Sequence, residues 1–154
     1  MDKSALVELL RTLVTSQYER ALAALAGATE AATGEDTKAE SKYDTRGLEA
    51  SYLAAGQAEQ ADELAEAIAV LDTADFPDFD FDDPIGPGAL VEAEQEGDLV
   101  YYLLAPAGGG IILETEDGPP VTVLGPSAPL RAHLLGQTSG TILEESDLTI
   151  LEVI

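Results

Sequence analysis

The chain has 154 residues, enough for one ordinary domain or two small modules. Seven Lys and Arg against 30 Asp and Glu give a net charge of −23. That balance argues against nucleic acid or an anionic membrane as a direct partner and favours a basic protein surface or plain solubility. Hydrophobic residues make up 45 %, so a core can be buried and the acidity does not imply disorder. The chain has no cysteine, which removes disulfide and thiolate chemistry and fits a reducing compartment. The N-terminal MDKSALVELLRTLV lacks the apolar run and small-residue cleavage site of a signal peptide, and no segment approaches the roughly 18 apolar residues of a membrane span. A soluble cytoplasmic protein is expected.

All eight prolines fall from Pro77 onward, which divides the chain into a helical N-terminal part and a β-rich C-terminal part. In the first helix Val7, Val14, Ala21 and Ala28 recur every seven residues, with Tyr18, Leu25 and Ala32 as a second row. Ser4 is a plausible N-cap and Gly34 a plausible stop. The second helix has a seam of Ala50, Ala54, Gln57, Ala61, Leu64, Ile68 and Leu71, spaced alternately four and three, as in a coiled coil. Two such helices with a short connection predict an antiparallel hairpin over 1–73, with its tip near 34–46. Each helix would run roughly 40 to 45 Å at 1.5 Å per residue. Large seam residues (Leu6, Leu10, Leu13, Leu64, Ile68, Leu71) lie toward the rest of the protein and alanines toward the tip, so the distal half buries little area.

Between the seams stands TGEDTKAESKYDTRGLEASY, residues 33–52, which holds Lys38, Lys42 and Arg46 among Glu35, Asp36, Glu40, Asp44 and Glu49. The cations recur every four residues and neutralise a tip that would otherwise repel itself, or meet a partner's acids or phosphates. Asp44 or Thr45 can N-cap the second helix, and acids in a first turn complement its dipole. For Glu35 and Asp36 a solvated loop is the favoured reading.

Residues 74–87, within TADFPDFDFDDPIGPG, read as an acidic Pro/Phe linker whose Phe76, Phe79 and Phe81 can dock on a module. From 88 to 154 the pattern turns to strands: ALVEAE, DLVYYLLAP, GIILETE, PVTVLG and ILEESDLTILEVI. GGG at 108–110 and DGPP at 117–120 mark turns, and PLRAHLLG at 129–136 is one short helix. The expected fold class is α+β, a helical hairpin followed by a small, mainly antiparallel β module. His133, the one histidine, has no carboxylates at ligand spacing, so a zinc site is not expected. Ser127 lacks a G-x-S-x-G setting, and GGG lacks the helix and Lys-Ser/Thr of a phosphate loop.

Two stretches are similar to the Gre transcript-cleavage factors of bacterial RNA polymerase. KYDTRGLEASYLAAGQA, residues 42–58, looks like the segment entering the second helix of that family. GPSAPLRAHLLGQTSG, residues 125–140, resembles its "SPLGRALLG" segment, with Pro129, Leu130, Leu134, Leu135 and Gly136 matching. The resemblance implies an FKBP-like C-terminal domain that docks on RNA polymerase through Pro129, Leu130, Leu134 and Gly136. It also implies a coiled coil that enters the secondary channel and presents tip carboxylates to the active-site magnesium. The factor would have no enzymatic activity of its own and would stimulate the polymerase's nuclease on backtracked RNA, sharing its magnesium and binding no DNA directly. Asp44 and Glu49 are the first candidates for those carboxylates, as catalytic and metal-contacting groups in the complex; Glu35, Asp36 and Glu40 come second.

Family members that cleave carry an Asp and a Glu three residues apart. With the Glu position matched to Glu49, the Asp position falls on Arg46; the nearest acid, Asp44, stands five residues from Glu49. This departure bears on cleavage more than on polymerase binding. A non-cleaving channel regulator is therefore the alternative expectation, and an acidic interaction module unrelated to polymerase is a third.

Overall fold

The computed structural model describes residues 1–33, 46–116 and 118–154. Two long helices come first: α1 (Lys3–Thr33) and α2 (Arg46–Thr73). The strands β1 (Leu90–Gln95), β2 (Asp98–Leu104), β3 (Ile112–Leu113) and β4 (Val121–Leu124) follow, then α3 (Pro129–Leu134), β5 (Ile142–Leu143) and β6 (Leu148–Val153). The fold is α+β, as the residue pattern predicts. The chain forms two compact units, one of Met1–Arg11 with Val70–Ile154 and one of Thr12–Ala69.

In the Thr12–Ala69 unit the heptad seam is what is buried. Val14, Ala21 and Ala28 on α1 and Ala61 on α2 are covered, and Leu64 and Ile68 are half-buried. Small side chains every seventh residue let two helices approach closely along one stripe. α1 is capped by Asp2, not Ser4: its Oδ1 accepts the Ala5 N–H at 3.2 Å. A carboxylate one residue before the helix satisfies an orphan donor and complements the dipole better than a hydroxyl inside the first turn.

In the other unit, six strands make one sheet in the order β3-β4-β2-β1-β6-β5. Four of its pairings are antiparallel and one, β2 with β4, is parallel. The β1–β2 hairpin turns at Glu96 and Gly97, both at positive φ (53° and 90°), with Gln95 opposite Asp98. Such a two-residue turn matches the twist of its strands. The C-terminal run 142–154 is two strands instead of one. A 3-10 turn at Glu144–Ser146 and Asp147 at φ 46° reverse the chain, so that Leu143 pairs with Leu148.

Side chains alternate across this sheet. On one face Val91, Ala93, Tyr102, Leu104 and Ile150 pack with Leu134 of α3. On the other, Leu90, Leu103 and Val121 are fully buried, and the first turns of α1 lie against it, where Leu6, Leu9 and Tyr101 line one recess. Arg11 of α1 donates to the Leu71 carbonyl at the end of α2, at 3.0 Å from Nη2, which ties the start of one helix to the end of the other.

Of the linker aromatics, Phe79 packs against the sheet core and Phe76 is half-buried, whereas Phe81 is 70 % exposed at a turn closed by the Asp83 N–H on the Asp80 carbonyl. The GGG turn has positive φ at Gly108 and Gly110 (78° and 86°), and a Cβ on Gly109 would stand 2.9 Å from the Gly125 backbone.

Candidate functional site

The start of α2 carries the sequence-predicted site residue that the structure describes there. Glu49 lies in the first turn, where a carboxylate meets the positive end of the helix dipole, and it is exposed. The Ser51 hydroxyl donates to the Gly47 carbonyl at 2.9 Å and closes this turn. Leu48, Tyr52 and Leu53 surround Glu49 with exposures of 55 %, 72 % and 56 %. Asp44, Glu35, Asp36 and Glu40, together with Lys38 and Lys42, lie outside the described residues. The proposed pairing of Asp44 with Glu49 has no geometry here for the same reason. Among the described residues no three His, Asp or Glu side chains cluster as a metal site.

The four docking candidates sit together on α3 and the turn that ends it. Pro129 occupies the first turn, where its missing N–H costs nothing. Leu130 packs half-buried on the core and Leu134 is fully buried, so Leu134 shapes this surface from beneath. Gly136, at φ +80°, takes the left-handed position that ends the helix, and its N–H donates to the Ile85 carbonyl at 2.8 Å. Exposed His133 shares an open recess of about 520 Å³ with Ala132, Gln137, Ile142 and the carboxylates of Glu144 and Glu145.

Two buried cations went unseen in the residue pattern. Arg131 is the only Lys or Arg after Arg46, and it is buried; its Nη1 donates to the carbonyls of Ala105 at 2.6 Å and Leu124 at 2.9 Å. Burial lowers its pKa. It ties α3 to the ends of β2 and β4, beneath the docking candidates. Lys3 is the second. Its Nζ donates to the Pro77 carbonyl and to the Ile154 carbonyl at 2.9 Å, and stands 5.2 Å from the Phe79 ring centroid. Burial lowers its pKa, against the raising influence of Asp78 and Asp75.

A larger recess, of about 760 Å³, opens between Met1, Asp2 and the first turn of α1 (Ala5, Leu6) on one side and Glu114–Glu116 on the other, with Tyr101 in its wall. The Tyr101 hydroxyl donates to Glu92 at 2.8 Å. Burial first, then that hydrogen bond and the charges of Glu92 and Glu152, push its pKa to about 12.

Among the described residues no helix is long and apolar enough to cross a membrane. No protein-family model matches the chain, and no curated protein matches it in sequence. Among solved structures, the GreA factor homolog 1 protein of Thermus thermophilus is 22 % identical over 94 % of each chain, with a TM-score of 0.35. A structure described as the transcription factor Gfh1 is 26 % identical over 82 % of this chain and 78 % of that one, also with a TM-score of 0.35.

Proposed function

We propose that the chain is a Gre-like transcription factor that enters the secondary channel of a bacterial RNA polymerase and stimulates cleavage of backtracked RNA. One observation carries the reading. The stretch that resembles the family's entry into its second helix, residues 42–58, runs into the start of a long α2, with Glu49 exposed in its first turn. The reading divides the chain into a hairpin (1–73), a linker (74–87) and an FKBP-like domain (88–154). The last would dock outside the channel through the α3 surface shaped by Pro129, Leu130, Leu134 and Gly136.

On this reading Glu49 and Asp44 deliver hard oxygen donors beside the polymerase's own carboxylates. A magnesium ion bound there supplies water activation and stabilisation of the displaced phosphate oxygens. Glu49 is suited to delivery: it is exposed, and its helix holds the carboxylate at a fixed azimuth. It is not suited to holding the ion alone, since one carboxylate is a weak magnesium site. On this reading the protein acts through the polymerase's own nuclease site and not alone.

A second reading, a regulator that occupies the channel without cleavage, is favoured by one specific feature. Arg46 stands where cleaving members have their Asp, and Asp44 is five residues from Glu49. Stalled, backtracked elongation complexes decide between the two. The first reading expects release of short 3′ RNA fragments on addition of the protein, lost in Asp44→Ala with Glu49→Ala. Binding without fragment release would remove cleavage and leave the regulator.

A further inference from the structure

At 100° per residue, Leu48, Tyr52 and Leu53 fall within about 140° of arc on α2, with Glu49 between Tyr52 and Leu53. The seam residues Ala50, Ala54, Gln57 and Ala61 centre on the far side, about 140° away. The three apolar side chains are therefore not part of the α1–α2 contact, and their exposures of 55 %, 72 % and 56 % agree. Three large apolar groups together on one exposed helix face form a patch, unlike single exposed leucines.

The same face changes character further along. Gly56 leaves it open, since a Cβ there would meet nothing within 4 Å, and then Glu59, Glu63 and Glu66 occupy it, all exposed. Local stability does not account for these acids. Glu59 and Glu63 repel at i,i+4. After Arg46, α2 has no Lys or Arg to neutralise them. The stripe from Leu48 to Glu66 spans about 27 Å.

We infer that this stripe is a two-part docking edge: an apolar anchor of Leu48, Tyr52 and Leu53, followed by the acidic rail of Glu59, Glu63 and Glu66. It fits a protein partner that offers an apolar notch continued by a basic strip. Charge complementarity selects that occupant. Nucleic acid is repelled by the rail, and a second copy would set acid against acid in a chain of net charge −23. Resting on the function proposed above, the partner is RNA polymerase, and the anchor holds α2 in place independently of the tip carboxylates. The two parts act differently: the rail speeds association and is screened by salt, whereas the anchor slows dissociation and is not.

The test is the affinity of the full-length protein for purified bacterial core RNA polymerase, at about 0.05 and 0.3 M salt. Leu48→Ala with Tyr52→Ala and Leu53→Ala is expected to weaken binding about tenfold or more at both salts, through faster dissociation. Glu59→Gln with Glu63→Gln and Glu66→Gln is expected to slow association at low salt and leave high-salt affinity near wild type. Alanine and glutamine are good helix formers, and circular dichroism of each variant checks that α2 persists. Wild-type binding left unchanged in the anchor variant overturns the inference alone. Absence of wild-type binding overturns the polymerase reading and the assignment of this edge to it. Self-association lost in the anchor variant would place a second copy on the edge and also overturn the inference.

Discussion

Tyr101 is held neutral by its surroundings, and this has a definite sign. Its pKa rises from 10.0 to about 12 on folding, so between those values the native state holds a proton that the unfolded state has lost. The resulting stability is fully present below pH 10.0 and is lost as pH rises through about 12. Absorbance titration of the five tyrosines should show late ionisation at Tyr101, with Tyr102 also raised by burial. Tyr101→Phe should flatten the fall in urea midpoint across that window and cost about 1 kcal/mol at neutral pH through the lost bond to Glu92. An unchanged alkaline profile would contradict the assignment. Lys3 is the other residue to test. Lys3→Met removes the side-chain donor from the Pro77 carbonyl and leaves the Ile154 carbonyl with the Leu90 N–H alone, and urea unfolding should show a loss of about 1–2 kcal/mol. Neither role was legible beforehand, because a lysine at the start of a helix looks the same in sequence whether it faces solvent or two carbonyls brought from 74 and 151 residues away.

The helices were the most legible elements, since a seven-residue repeat of Val14, Ala21 and Ala28 is a local signal of which face is buried. The same locality predicts two stabilising changes. Gly27 and Gly56 lie inside α1 and α2, and a Cβ at either meets nothing within 4 Å. Gly27→Ala and Gly56→Ala should each raise the urea-unfolding free energy by about 0.5–1 kcal/mol; a loss would mean that the open space is filled in solution. The opposite holds at Gly88, at φ +85°, where a Cβ would stand 2.8 Å from the Asp75 carbonyl oxygen. Gly88→Ala should therefore destabilise by about 2 kcal/mol or more, read by the same denaturation. The strands were legible as strands, but their partners were not. Nothing local in DLVYYLL or PVTVL sets β2 parallel to β4. The reversal inside ILEESDLTILEVI was hidden because Asp147, not glycine, takes the left-handed position. The α3 candidates were found through their resemblance, yet Arg131 beneath them was not. Of the tip acids, Glu49 alone lies among the described residues.

At the scale of the whole chain, a charge of −23 on 154 residues means that compaction works against self-repulsion. Raising salt from about 0.02 to 0.2 M, which shortens the screening length to below about 10 Å, should raise the melting temperature; a fall would show that favourable ion pairs outweigh the repulsion. On the functional proposal the same charge directs the molecule toward a basic protein surface, and the proposal turns on where the start of α2 comes to rest there. Because the chain has no cysteine, Ser51→Cys creates a unique attachment point beside Glu49 for an iron chelate that generates hydroxyl radicals. In complex with bacterial RNA polymerase, the proposal predicts cuts in the polymerase chain around its magnesium-binding carboxylates. Cuts confined to the outer surface, with binding intact, would contradict it.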